Sequence, residues 1–232
     1  MTAAAISVIV TALNFERFIA AAIRSIQAQD VAVAQILVVD ASSDDGTPSL
    51  VAAMAAADPR IRLLSAPRHS PARSRNAGLA VATGEVIAIL DGDDTWPRDK
   101  LRAQMAVLED PGIGVVSGLT AYCDAIDPET LAPPREARTE VAPTVHVGAC
   151  LYRAAALAAA GPFDERFRYA DDWDLLLRLR DAGVREEALP QVTLWHRRYP
   201  GSLLTTPDPR RKQEVAVAVG LSLARRRARA GR

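Results

Sequence analysis

The chain has 232 residues, 49% of them hydrophobic, with 28 basic and 28 acidic side chains and a formal net charge of zero. That is enough for one large domain, or a domain with an appendage, around a sizeable core. The charge balance excludes a nucleic-acid-binding chain, so no nucleic acid is expected as a partner. Cys123 and Cys150 are far apart and rule out a disulfide framework; with His69, His146 and His196 dispersed in sequence, a zinc site is not expected either. A reducing cytoplasm is the expected compartment. The opening MTAAAISVIV lacks a basic region, and its apolar run is too short for a signal peptide or a membrane span.

In chain order, residues 6–10 read as a buried strand. Phe15, Phe18, Ile19, Ala22, Ile23 and Ile26 recur at helical spacing and predict an amphipathic helix to about Gln29. Residues 35–39 are a second strand, 40–46 a polar loop, and Thr47-Pro48 an N-cap with a first-turn proline before an alanine-rich helix to about Ala57. A third strand covers 61–64. Ser70-Pro71 starts a helix running to about Thr83, with Gly84 as its stop. The strand at 86–90 follows, then a helix at 97–109 and a strand at 113–117. The alternation predicts an α/β fold with a doubly wound, mainly parallel sheet flanked by helices.

Residues 119–145 carry four prolines and little periodicity. They read as an extended or irregular insertion, either lining a substrate cleft or forming an ordinary surface loop. Residues 147–153 resume a strand, 153–160 form a short helix, 171–182 a helix ended by Gly183, and 184–195 an extended segment interrupted by Pro190. A basic helical tail spans about 210–230. Its composition leaves three roles open: contact with an anionic membrane surface, a homodimer interface, or a solvated face.

The chain is organised around GEVIAILDGDDTWPRDKL, residues 84–101. The apolar run 86–90 reads as a strand buried on both faces, and Asp91, Asp93 and Asp94 follow at its end. Carboxylates gathered there repel one another; a divalent cation, Mn²⁺ or Mg²⁺, would remove that cost. Asp91 and Asp93, two apart, point to the same side of an extended segment. Open α/β sheets bind ligands beyond the carboxyl ends of their strands. A solvated acidic turn is the plain alternative. Of the sharper readings, one is a DxD metal site holding a nucleotide diphosphate. The other is the DxDxT signature of haloacid-dehalogenase-type phosphohydrolases, with Asp91 as nucleophile and Asp93 as acid/base.

No GxGxxG follows the first strand, and neither GxxxxGK[ST] nor GxSxG occurs. Acidic clusters remain at Asp40/Asp44/Asp45, at Asp91/Asp93/Asp94 and at Asp171-Asp172-Trp173-Asp174. The third has a plain explanation as helix capping, although a cap needs one acid and not three. Arg73 and Arg75 lie between the first two clusters, placed either on a solvated helix face or against phosphates.

These motifs fall in a telling order: SIQAQ closing the first helix, VVDASSDDGT after the second strand, RNAGLAVATGEVIAILDGDD, then GPFDERFRYADDWDLLLRL. Over residues 5–203 the chain resembles a family 2 glycosyltransferase of the GT-A fold. The resemblance implies a metal-dependent, inverting, hexosyltransferase-type enzyme. It would move a sugar from a nucleotide-diphospho-sugar, with a UDP-linked donor expected, to the hydroxyl of a saccharide or lipid-linked acceptor. It implies residues 1–118 as a nucleotide-binding half, 119–203 as an acceptor and catalytic half, and 204–232 as a helical tail. Localisation would be cytoplasmic, with peripheral membrane contact open.

Carried over position by position, the resemblance places the nucleotide near Thr11, Leu13, Asp40, Arg75, Asp91 and Gly92. It gives the metal to Asp91, Asp93 and Asp94, and the general base to Asp172. Asp171, Trp173, His196 and Arg197 are implied for the diphosphate or the acceptor. Leu13 stands where an aromatic residue is common, and Ala41 replaces a carboxylate that typically contacts the base, with Asp44 or Asp45 as substitutes. In the haloacid-dehalogenase fold DxDxT belongs to the first strand, whereas here βα units precede it. A phosphohydrolase and a non-catalytic nucleotide-sugar-binding protein stand as the alternatives.

Overall fold

The computed structural model describes residues 4–68, 70–143, 146–203 and 205–230. His69 therefore lies outside the described residues. The run ISVIVTA is buried at every position because β1 (Ile6–Ala12) lies in the middle of the sheet. It pairs in parallel with β2 (Gln35–Asp40) on one side and, on the other, with the fourth strand of the chain; β2 pairs in parallel with β3 (Ile61–Ser65). That fourth strand is β4 (Val86–Asp91), buried at all positions but its last. Continuous apolar runs of this kind belong to parallel strands covered on both faces.

The alternation along these strands sorts their side chains into two cores. Val8, Val10, Ile36, Val38, Ala88 and Leu90 face one way, toward α1 (Ile19–Gln27), α2 (Thr47–Ala57) and α4 (Lys100–Val107). Ile9, Leu37, Val39, Ile87 and Ile89 face the other, toward α3 (Pro71–Leu79), α5 (Ala154–Ala160) and α6 (Asp171–Asp181). This is the doubly wound arrangement that the βα alternation predicts. Gly78 lets α3 approach β1: a methyl there would lie 2.4 Å from Cγ2 of Ile9.

The second part of the sheet is mixed. β5 (Ile113–Cys123) is followed by β6 (Thr139–Ala142), β7 (Leu151–Arg153) and β8 (Arg185–Arg197). The order is β3-β2-β1-β4-β7-β5-β6, and β8 pairs with β5. β7 is antiparallel to both β4 and β5, whereas β8 runs parallel to β5. α7 (Arg210–Ala230) packs its Ala218 and Val215 against Phe167 and Ala170, at the entry to α6.

Several boundaries differ from the sequence reading. Thr47 is the first helical residue of α2 and not its cap; its hydroxyl accepts the amide of Phe15, and Asp45 Oδ1 accepts the amide of Thr47. Those tie-downs hold residues 15–18 in a turn, so α1 starts later than Phe15. α3 stops at Leu79, and Gly84 instead donates its amide to Ser7 Oγ at 2.9 Å. α4 begins at Lys100 and not at Pro97, because Thr95 is held extended by a bridge to Trp195.

β5 runs on to Cys123, into the stretch read as irregular. β8 continues through Pro190 because register shifts opposite 117–120 leave room for a residue that cannot donate to the ladder. Residues 147–149 form a 3₁₀ turn where a strand was expected, with the amide of Gly148 donating to His146 Nδ1.

Candidate functional site at the strand ends

Parallel pairing sets Thr11 opposite Asp91 and Ala12 opposite Asp40, so three strands end together. The loops beyond them are laced. Asn14 donates its amide to Ser43 Oγ and accepts the amide of Asp44. Asp40, buried, accepts both the amide and the hydroxyl of Ser43. Asp45 accepts the amide of Glu16 at 3.0 Å, whereas the Asp44 side chain is 77% exposed beside Arg68. Leu13 is half-buried and Ala41 buried. Gly92 is required by closeness: its amide donates to the Thr11 carbonyl at 2.9 Å, and a methyl there would meet that oxygen and Ile19.

Arg75 and Arg73 part company. Arg73 is at the surface, 3.8 Å from Glu165. Arg75, 5% exposed, bridges Asp91 at 2.9 Å and Asp171, joining α3, the end of β4 and the start of α6. Asp91 also accepts the Thr11 hydroxyl at 2.7 Å. Burial works against a charged Asp91, but the Arg75 guanidinium and these hydrogen bonds outweigh it and hold its carboxyl well below the usual carboxylate range. Asp91 is thus an ionised anchor, bonded to Thr11 and Arg75.

Asp93 and Asp94 turn to the last part of β8 and the residues beyond it. Tyr199 donates its hydroxyl to Asp93 at 3.0 Å. Burial, then the charges of Asp94 and Asp91, push Asp93 up to about 7. Asp94, fully buried, accepts the amide of Arg197 and lies 2.8 Å from His196 Nδ1. Burial opposes a charge on His196, yet Asp94 overcomes it and lifts the imidazole to about 9. Arg197 spans the same loop, donating to the Asp93 carbonyl and lying over the Phe18 ring.

The histidines dispersed in sequence are not dispersed in space. The His146 and His196 rings are 4.9 Å apart, and one ligand atom from each of Asp94, His146 and His196 falls within 4.8 Å of the others. The carboxylate oxygens here suit Mn²⁺ and Mg²⁺, while the two imidazoles are donors of the kind that suit Zn²⁺ and iron. His146 is held in place from below. Trp96 Nε1 donates to the Gly148 carbonyl, Gln104 to that of Ala149 and Lys100 to that of Cys150. Those three donors come from the start of α4 and the turn before it. His146 was missed in sequence because neither neighbour is polar; the one available signal was the WPRDKLRAQ segment, whose Lys100 and Gln104 are buried.

Asp172 sits one residue into α6 and borders a cavity of about 210 Å³ shared with His146, Tyr152, Leu119, Leu176 and Leu189. Pro143 also lines it, so both ends of the 119–145 stretch reach this space. Burial, and then the neighbouring charge of Asp171, push Asp172 up to about 7. Trp173 is 39% exposed and does not serve the core. A second hollow, about 480 Å³, is lined by Arg17, Phe18, Ile126, Arg197 and Tyr199.

The comparisons with known proteins bear on the family and the fold. The family model described as glycosyl transferase family 2 matches residues 7–157. The succinoglycan biosynthesis protein ExoO of Rhizobium meliloti is 44% identical over 98 residues, 42% of this chain and 28% of ExoO. The Escherichia coli enzyme WfgD, named as a UDP-Glc:alpha-D-GlcNAc-diphosphoundecaprenol beta-1,3-glucosyltransferase, is 29% identical over 177 residues, 75% of this chain and 69% of WfgD. The chain thus spans well under half the length of ExoO.

Among solved structures, S. aureus TarS in complex with UDP-GlcNAc superposes with a TM-score of 0.75 at 20% identity, over 95% of this chain and 66% of that one. The mannosyltransferase PcManGT from Pyrobaculum calidifontis, solved with GDP-Man and Mn²⁺, gives 0.68 at 22% identity, over 94% and 70%. These likenesses establish the fold. The phosphohydrolase alternative falls with them: Asp91 ends the fourth strand, and both of its sides are engaged by Thr11 and Arg75. The match over most of the doubly wound half makes this chain a member of glycosyl transferase family 2, an enzyme built on the GT-A fold.

Proposed function

We propose that the chain is a metal-dependent, inverting transferase that moves a hexose from a UDP-sugar to an acceptor hydroxyl, with Asp172 as general base. The observation that carries the reading is that Asp172 and His146 line one cavity, so the base faces the same space as one member of the cluster of Asp94, His146 and His196.

Asp94, His196 and His146, with Asp93 beside them, would hold Mn²⁺ or Mg²⁺. A divalent ion there offsets the charge of a diphosphate. The fit is supported by the donor set: one ligand atom from each of Asp94, His146 and His196 lies within 4.8 Å of the others, and Asp93 adjoins Asp94 in sequence. Asp91 contributes by fixing Arg75 and the loop. Thr11, Leu13, Asp40 and Gly92 form the floor for the nucleoside, and Arg197 stands beside the diphosphate. Residues 1–118 supply this nucleotide half, 119–203 the acceptor half, and 204–232 a helical tail.

In the reaction, the acceptor oxygen gives its proton to a carboxylate oxygen of Asp172 and attacks the anomeric carbon. The new C–O bond forms as the bond to the diphosphate breaks, and the nucleoside diphosphate leaves with the electron pair. One displacement inverts the sugar carbon. Trp173 and Asp171 flank the acceptor approach. The names of WfgD and TarS in its complex support a UDP donor, and that of WfgD a lipid-diphosphate-linked saccharide as acceptor. No helix among the described residues is long and apolar enough to cross a membrane. Peripheral contact or a homodimer would rest on the outer face of α7, where Val217 and Leu223 are exposed.

The test is a panel of UDP- and GDP-hexoses against saccharide and polyprenyl-diphosphate acceptors, followed by proton NMR of the product. Because Asp172 is an acid raised to about 7, it is protonated and inactive as a base below that pH. Turnover is therefore expected to rise through pH 7 and to level off above it, with the anomeric configuration inverted. A rate that falls from pH 6 to pH 8, or a retained configuration, would sink the reading.

A further inference from the structure

The helix α7 does more than cover α6. Oε2 of Glu214 accepts three successive backbone amides, those of Arg168 at 2.9 Å, Tyr169 at 2.7 Å and Ala170 at 3.2 Å. These are the residues immediately before Asp171 and Asp172. Convergent amides on one carboxylate oxygen form an anion-holding corner. The start of a helix needs acceptors, and the residue at this N-cap is Ala170, whose side chain offers none.

The nearby acids are already committed. Asp171 pairs with Arg75, and Asp174 with Arg178 at 2.8 Å. The corner is pinned again where Tyr169 donates its hydroxyl to Asp208 at 2.7 Å, and where Phe167 and Ala170 pack on Ala218. At the far end of α6, Asp181 accepts from Ser222, Arg225 and Arg226, so α7 is fixed along its length.

We infer that Glu214 is a positioning residue for the transfer reaction: by gathering the amides of residues 168–170 it sets the start of α6, and so the direction of the Asp172 carboxylate. The inference rests on the reading of Asp172 as the base. A base must lie within hydrogen-bond reach of the proton it takes, and a displacement on the order of 1 Å can cost roughly 100-fold in rate. Glu214 touches neither donor nor acceptor in this account; it acts through the backbone that carries Asp172.

The experiment compares the native chain with Glu214→Ala, Glu214→Gln and Asp172→Asn, each full length. The first readout needs no substrate: the ¹³C carboxyl titration of Asp172, assigned with Asp172→Asn. Asp172 is faced by Asp171, Arg75 and Asp91, and across the cavity by His146, Tyr152, Arg180 and Glu186. Its midpoint near 7 in the native chain is expected to fall by about one pH unit in Glu214→Ala, as the loosened corner lets water in. Glu214→Gln, which keeps an acceptor oxygen, is expected to restore it.

The second readout is release of UDP from UDP-glucose with Mn²⁺ as the glucosyl group passes to a saccharide or polyprenyl-diphosphate acceptor from the panel above. Glu214→Ala is expected to lower kcat about tenfold with donor KM within about twofold, and Glu214→Gln to recover most of the loss. An unmoved Asp172 midpoint in Glu214→Ala overturns the inference. So does a kcat that is unchanged per folded molecule while only the melting temperature drops. Full turnover in Asp172→Asn would instead remove the base assignment itself, whatever Glu214 does.

Discussion

Asp172→Asn is expected to lower kcat by at least about 100-fold, with nucleotide affinity close to that of the native chain. The substitution keeps size and leaves an oxygen to accept the amide of Trp173, which the native carboxylate takes at 2.7 Å. It removes only the capacity to hold a proton at the pH of the reaction. The Asp172 side chain is not part of the Arg75 bridge, so the fold is expected to keep its melting temperature. Steady-state kinetics with calorimetric binding of UDP separates the two effects. A loss that appeared in KM alone would mean that Asp172 binds the acceptor and does not take its proton.

Arg75→Met is expected to give the largest loss of stability, about 3–5 kcal/mol, because it leaves the buried Asp171 and the largely covered Asp91 without their shared cation. Asp91 is held ionised chiefly by that guanidinium, and Asp171 is 4% exposed. For a chain of this size such a loss lowers the melting temperature by on the order of 10 °C. The loss is expected to shrink below the pH at which Asp91 titrates. Its folded pKa is depressed, so its contribution is present above the ordinary carboxylate range and disappears as pH falls. Scanning calorimetry of Arg75→Met and of Arg75→Met/Asp91→Asn tests this: the double variant should recover part of the loss. Equal melting temperatures for native and Arg75→Met would show that the bridge carries no stability.

The parallel half of the fold was legible because its strands are continuous apolar runs, α1 has a clear helical period, and α2 and α3 carry first-turn prolines. Val86–Asp91 could hardly be anything but a central strand, and the acids at its end sit where such sheets bind ligands. The part that was not legible is set by contacts distant in sequence. Nothing near Ser117 or Pro190 announces that β5 and β8 pair through register shifts. Arg75 reads in sequence as a solvated cation or a nucleotide contact, and its bridge to Asp91 and Asp171 is not legible because those partners lie 16 and 96 positions away.

The site shows the same division. Asp91, Asp93, Asp94 and Asp172 follow from local motifs and from family likeness. His146 does not, since it reaches Asp94 and His196 only through a 3₁₀ turn held by Trp96, Gln104 and Lys100. Glu214 was hidden for the same reason: its three amide partners lie 44 to 46 positions upstream. The basic tail also read differently on its own, because Arg225 and Arg226 spend their charge on Asp181.

We propose that the strand-end acids and the two histidines make a metal-assisted site for a nucleoside diphosphate. Isothermal titration with UDP, GDP and inorganic phosphate, each with and without Mn²⁺, tests it most directly. UDP binding is expected to require Mn²⁺ and to be lost in His196→Ala and in Asp94→Asn. Binding of inorganic phosphate in place of either nucleotide, or UDP binding that ignores both the ion and these substitutions, would contradict it.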